Sequence, residues 1–158
     1  THVAYLQDGR VLQYGALQDV YRNPASVEVG AYFSYPTMNI MEADVTTEQD
    51  RIFLRISEEI AIDVTQFRDR LAHGQYLVGI RAYNLYTAQI AFSATVELAE
   101  ELGSDTELHV RHQGQVFVVL MQEVARFPIG TQITVYLDPS RLFLFDRETR
   151  QLAFKTFA

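Results

Sequence analysis
Three consecutive stretches decide the fold: IAFSATVEL (residues 90–98), TELHVRH (106–112) and QVFVVLMQ (115–122). Apolar and polar residues largely alternate in the first two, the third is an unbroken apolar run between two glutamines, and branched or aromatic side chains dominate all three. Such patterns mark strands packed on a core. Gly103 and Gly114 fall in the breaks between them, where turns belong. Working outward, Met38–Val45, Arg51–Ile56 and Gln75–Arg81 read as earlier strands, and Gln132–Leu137 and Arg141–Phe145 as later ones. Only Gln66–Leu71, one helical turn, interrupts the series. Many short strands with polar, Gly and Pro breaks predict a mainly β body, a barrel or a sandwich.

The texture differs before Pro36. Asp8-Gly9 lies between two short apolar runs and predicts a tight two-residue hairpin turn within residues 3–14. Ala16–Tyr21 reads as a short helix stopped by Asn23-Pro24. Ser26 is placed to cap a second short helix that runs through Val29, Ala31, Tyr32 and Phe33 and ends before Pro36. Two units are therefore expected, residues 1–36 and residues 37–158. The first is too small to bury a core of its own.

Composition narrows the function. The chain has 158 residues, 48% of them hydrophobic and 21% charged, a globular balance. It contains no cysteine, which excludes disulfides, thiol chemistry and thiolate-bound zinc. The net charge is −7 and Lys155 is the only lysine. An acidic chain without a basic stripe is a poor partner for nucleic acid or anionic lipid. No apolar run approaches the roughly 18 residues that cross a bilayer, and the N-terminal residues lack a signal-peptide pattern. No glycine-rich loop carrying a lysine occurs, so the phosphates of a nucleotide have no cradle here.

A set of short motifs ties these pieces together. They are Asp8-Gly9-Arg10, Val20-Tyr21-Arg22-Asn23-Pro24-Ala25, the Phe33, Pro36, Met38, Asn39 spacing, Val78-Gly79-Ile80-Arg81, Val96-Glu97-Leu98 with Leu102-Gly103, Gly130-Thr131, and Leu144-Phe145-Asp146 with Thr149. Arg150 follows, where glycine is usual. In order and spacing they resemble the end of the ATPase domain and the following TOBE regulatory domain of ABC importer ATP-binding subunits, of the sugar or glycerol-phosphate (maltose-importer-like) type. The resemblance implies that residues 1–36 are a C-terminal remnant of an ATPase domain. It implies that residues 37–158 are an OB-fold-like (TOBE/MOP-like) barrel. ATP and magnesium would belong to a catalytic core not present in this sequence. No catalytic, cofactor-binding or metal-binding residue is assigned, and His2 is given no role. The implied partners are a second copy of the chain, transmembrane permease subunits reached through the missing core, and a regulatory protein. The implied location is the cytoplasmic face of a bacterial cell membrane, without insertion into it.

Candidate contacts for a partner or ligand are Tyr83, Asn84, Tyr86 and Thr87, with hydrogen-bonding tips after a strand, and Gly103 and Asp105 at the next turn. An alternative function, the sensing of a small oxyanion or other ligand, would draw on Ser93, Thr95, Gly130 and Thr131. His109 and His112 are three apart on a strand, so they point to opposite faces and cannot share a metal; both read as partly exposed. Glu97, Glu100, Glu101 and Asp105 read as a solvated turn face.

Overall fold
The computed structural model describes residues 1–85 and 89–158. Among them, the strands are β1 (His2–Gln7), β2 (Arg10–Ala16), β3 (Asn39–Glu48), β4 (Arg51–Arg55), β5 (Ala61–Asp63), β6 (Gln75–Ile80), β7 (Ile90–Glu101), β8 (Thr106–His112), β9 (Gln115–Met121), β10 (Gln132–Leu137), β11 (Phe143–Asp146) and β12 (Leu152–Lys155). The helices α1 (Leu17–Arg22) and α2 (Val27–Tyr32) lie between β2 and β3. Short 3-10 turns occupy Thr65–Arg70, Ala82–Asn84 and Pro139–Arg141. None of these helices is long and apolar enough to cross a membrane.

The β body is built from two antiparallel sheets. One has the order β10-β7-β8-β9 and the other β12-β11-β6-β3-β4-β5. They face each other across one core. Strand β8 shows the rule: Thr106, Leu108, Val110 and His112 point inward and are buried, while the residues between them are partly or fully exposed. Phe117, Val119 and Met121 of β9, Phe92 and Val96 of β7 and Leu54, Tyr76, Val78 and Ile80 of the other sheet join them. Among the described residues the two sheets do not merge into one hydrogen-bonded ring. Along the seam between β3 and β9, side chains substitute for a ladder. The Asn39 amide donates to the Val118 carbonyl at 2.8 Å and accepts from the Val118 N–H at 2.7 Å. Gln115 Nε2 donates to the Ile40 carbonyl at 3.0 Å.

Strand β6 is buried on both faces, as its near-continuous apolar run Tyr76-Leu77-Val78-Gly79-Ile80 requires. Its outer face belongs to a second cluster of Val27, Met38, Leu77, Phe143 and Phe145. The glycine in that run has a steric cause. A Cβ at Gly79 would stand 2.6 Å from Met38 Sδ and 2.9 Å from a Phe145 ring carbon. Ser26 caps α2 by accepting from the Val29 N–H, as its position in the sequence predicts. The helical segment is also stitched to the last strands. Val27 N–H donates to the Arg150 carbonyl at 2.9 Å, and Leu152 N–H to the Ala25 carbonyl at 3.0 Å.

Two strands escape the sequence reading. Strand β5 is only three residues long, and β12 carries the sequence Leu-Ala-Phe-Lys near the chain end. Strand β7 runs past Leu98 to Glu101, with a register shift at Glu97. The acidic stretch therefore belongs mostly to a strand rather than a turn. Glu97 pairs there with Arg111, and Glu101 with Arg126 at 3.1 Å. His112 departs from expectation as well, being only 4% exposed. Inward alternation on β8 carries it into the core, edge-on to Phe92 and bonded through its ring nitrogens to the Ser93 carbonyl and the Ser57 hydroxyl. His109, on the opposite face, contacts Glu107 instead.

Candidate functional site
Where α1, the end of β6 and β11 meet, they leave a cleft of about 430 Å³. Its floor is Arg81. The apolar run of β6 delivers this residue directly from the core, and its side chain is only 4% exposed. The guanidinium carbon sits 3.7 Å from the centre of the Tyr21 ring and 4.6 Å from that of Phe143. Such stacking suits a planar, weakly hydrated cation. Arg81 Nη2 donates to the Tyr21 carbonyl at 2.6 Å, which fixes the end of α1. Arg81 Nε is buried and has no hydrogen-bond partner.

Around this floor stand further polar groups. The Tyr21 and Tyr83 hydroxyls are 2.8 Å apart, one donating to the other. Burial, reinforced by the Tyr83 hydrogen bond, pushes the Tyr21 phenol up to about 12, so it remains neutral and keeps its proton. Arg22, Asn84 and Arg141 line the same cleft. Lys155 Nζ donates to the Arg22 carbonyl at 3.1 Å and lies 4.7 Å from the Phe157 ring, which also lines the cleft. Burial lowers the Lys155 pKa, and the nearby positive charges of Arg22 and Arg81 lower it further. Among the described residues, no carboxylate side chain forms an ion pair with any of these four cations. Positive charge thus gathers at one place in a chain whose net charge is −7.

Of the expected contacts, Tyr83 and Asn84 fall in this cleft. Tyr86 and Thr87 lie outside the described residues. Gly103 and Asp105 do not join it. They shape the β7–β8 turn, where the Leu102 N–H donates to the Asp105 carbonyl at 2.8 Å and Gly103 takes φ +87°. The donors named for an oxyanion are largely engaged by the chain itself. The Ser93 N–H and hydroxyl both hold the Glu59 carboxylate, each at 2.7 Å. These two bonds keep Glu59 below the usual carboxylate range. Gly130 N–H donates to the Val96 carbonyl and Thr131 Oγ1 to the Pro128 carbonyl. Thr95 sits in the ladder between Arg111 and Gln132. A groove beside His73 and Asp146 is likewise satisfied internally by the 2.9 Å contact of His73 Nε2 with Asp146 Oδ2.

Arg81 and Tyr21 are the residues that sequence reasoning passed over as site members, although both lie inside quoted motifs. The available signal was an arginine closing a strand with no outward polar position, Tyr76 to Ile80. A cation delivered by such a strand must either be paired or bridge to another layer.

Comparison with known proteins places much of this cleft within a matched region. Residues 78–145, which include Arg81, Tyr83, Asn84, Arg141 and Phe143, match the model of the TOBE domain. Over most of its length the chain is similar to ATP-binding proteins of ABC transporters and of sugar or glycerol-phosphate import. It is similar to the trehalose/maltose import ATP-binding protein MalK of Thermococcus litoralis, with 28% identity over 96% of this chain and 44% of the relative. It is similar also to the sn-glycerol-3-phosphate import ATP-binding protein UgpC of Psychromonas ingrahamii, with 30% identity over 91% of this chain and 39% of the relative. The chain thus spans less than half the length of these relatives. Among solved structures, the cytoplasmic molybdate-binding protein ModG shares the fold, with a TM-score of 0.50 and 16% identity over 67% of this chain and 94% of that one. The OB-like character expected of the β body is therefore shown.

Proposed function
We propose that this chain is the regulatory and dimerisation part of the ATP-binding subunit of an ABC importer for a sugar or a glycerol phosphate, and that it performs no chemistry itself. One observation carries the reading. Similarity to ATP-binding subunits extends over more than nine-tenths of the chain, yet its 158 residues contain no lysine-bearing glycine loop for a nucleotide. ATP and magnesium belong, in this reading, to a core in the remaining length of such a subunit.

The N-terminal segment supports the same division. Leu6, Val11, Tyr14, Tyr32 and Tyr35 are 58–83% exposed, although they are large and apolar. Residues 1–36 are then the edge of the ATPase domain, and this apolar face packs on the rest of it. The permease subunits are reached through that core. The β body holds a second subunit, keeps two cores joined as they open and close, and offers a surface to a regulatory protein. The location is peripheral, on the cytoplasmic face of the membrane.

Sedimentation equilibrium tests the dimer and MgATP turnover tests the division of labour. A reversible dimer with a dissociation constant of about micromolar order, together with no MgATP hydrolysis, is expected. A chain that stays strictly monomeric at the highest soluble concentration, or one that turns over ATP, would sink the proposal.

A further inference from the structure
The geometry points to an anion site in the Arg81 cleft, one that takes a phosphate dianion, either free or as the head of a small phosphomonoester, between the end of α1 and the β body. This site is distinct from the Ser93–Thr131 region and does not depend on the importer reading.

The first ground is Arg81. A buried guanidinium nitrogen with no partner is a rare and costly arrangement. Arg81 is only 4% exposed, and its Nε is the orphan. Its stacking between Tyr21 and Phe143 fixes the plane of the fork without satisfying that nitrogen. The second ground is charge. Arg22 and Arg141 line the cleft with Arg81 and Ala158, and Lys155 adjoins it through the Arg22 carbonyl; among the described residues no carboxylate forms an ion pair with any of these four cations. The pressure of like charges on Lys155 is itself relieved by a bound dianion. The third ground is the hydrogen-bond inventory. Guanidinium and ammonium groups only donate, the Asn84 amide supplies further donors, and of the two linked phenols one keeps a proton free to donate outward. Several donors around one fixed guanidinium plane suit an oxyanion with several acceptor oxygens. A volume of about 430 Å³ leaves room beyond the head group for a small organic body against Phe157 and Phe143.

The placement gives the site a consequence. Tyr21 and Arg22 belong to α1, whereas Arg81, Asn84 and Arg141 belong to the β body. An anion seated here ties the helical segment to the sheets and stiffens the junction between them.

The test uses the whole chain labelled with 15N, titrated with inorganic phosphate, sn-glycerol 3-phosphate, uncharged glycerol and a hexaglutamate peptide. The Arg81 Nε–H resonance and calorimetric heat are followed together. Phosphate or its glycerol ester should shift that resonance and saturate below about 1 mM, while glycerol should do neither. Tighter binding of the ester assigns the organic body to the site, and equal binding assigns free phosphate. The exposed-arginine variants Arg22→Ala and Arg141→Ala should each weaken binding about tenfold. Arg126→Ala, outside the cleft, should leave it unchanged. Absence of any shift at about 10 mM phosphate and ester overturns the site. So does equal weakening by Arg126→Ala, or a peptide that binds more tightly than either phosphate.

Discussion
Two hairpins of this molecule share their turn chemistry and differ in almost everything else. Asp8-Gly9 joins β1 to β2, and Gln113-Gly114 joins β8 to β9. In both turns the two central residues take positive φ, 50° and 73° in the first and 44° and 82° in the second. That is the geometry tight hairpins require. Yet Leu6, Val11 and Tyr14 of the first are 58–69% exposed, while Leu108, Val110 and Phe117 of the second are 0% exposed. Local sequence makes a hairpin, but only the sheet it joins decides whether its apolar side chains find a core. The β1–β2 pair stands as a separate two-stranded sheet, whereas β8 and β9 complete a wall of the body.

The largest contrast should appear on truncating side chains. Phe117→Ala should cost about 3–5 kcal/mol of unfolding free energy, and Tyr14→Ala less than about 0.5 kcal/mol. Urea denaturation reads both, and comparable losses would erase the distinction between the hairpins. Next come the turn glycines. Alanine at either position meets open space but must adopt the left-handed backbone, at a cost of about 1 kcal/mol. Gly114→Ala should lower the global midpoint. Gly9→Ala should instead speed amide exchange in β1 and β2 alone, because that pair adds little to the cooperative core. A global loss from Gly9→Ala would show that the first hairpin is better integrated than its exposure indicates.

Smaller effects probe how the helical segment joins the body. Arg150 takes φ +60° and forms an ion pair with Glu28 of α2. Arg150→Gly relieves the backbone but removes a half-exposed pair, so the two terms should cancel to within about 0.5 kcal/mol. A loss well beyond that would make the pair a principal tether. Least of all in stability, but distinct in signal, is Tyr21. Its folded pKa of about 12 exceeds the unfolded value near 10, so its contribution is complete below pH 10 and is lost as pH rises toward 12. Ultraviolet titration should show a late-ionising phenol that disappears in Tyr21→Phe. If every phenol titrates together, the closed setting of Tyr21 beneath Arg81 is wrong.

Much of this architecture is legible in the residues. The boundaries of β8 and β10 follow directly from alternation, and Ser26 announces its helix. Strand β5 is too short to show a period, and β12 is marked only by its pairing with β11. The burial of His112 is also legible, since it shares the alternation of Leu108 and Val110; only its polar residue type argues for exposure. The cleft was half visible. Tyr83 and Asn84 stood out as polar tips after a strand, but Arg81 and Tyr21 lie 60 residues apart in sequence and meet only through the layer that α1 adds. Arg150, by contrast, was conspicuous where glycine is usual, and its left-handed backbone now supplies the reason.

Asn39 carries a consequence of another kind. With both halves of its amide clasping the backbone of one residue of β9, on either side of the Val118 Cα, it acts as the spine of a book whose covers are the two sheets. Breathing of the body must begin at the fore-edge, away from Val118. Loosening at the spine would break two bonds to a single side chain at once, so the Val118 amide proton should be among the last to exchange with solvent.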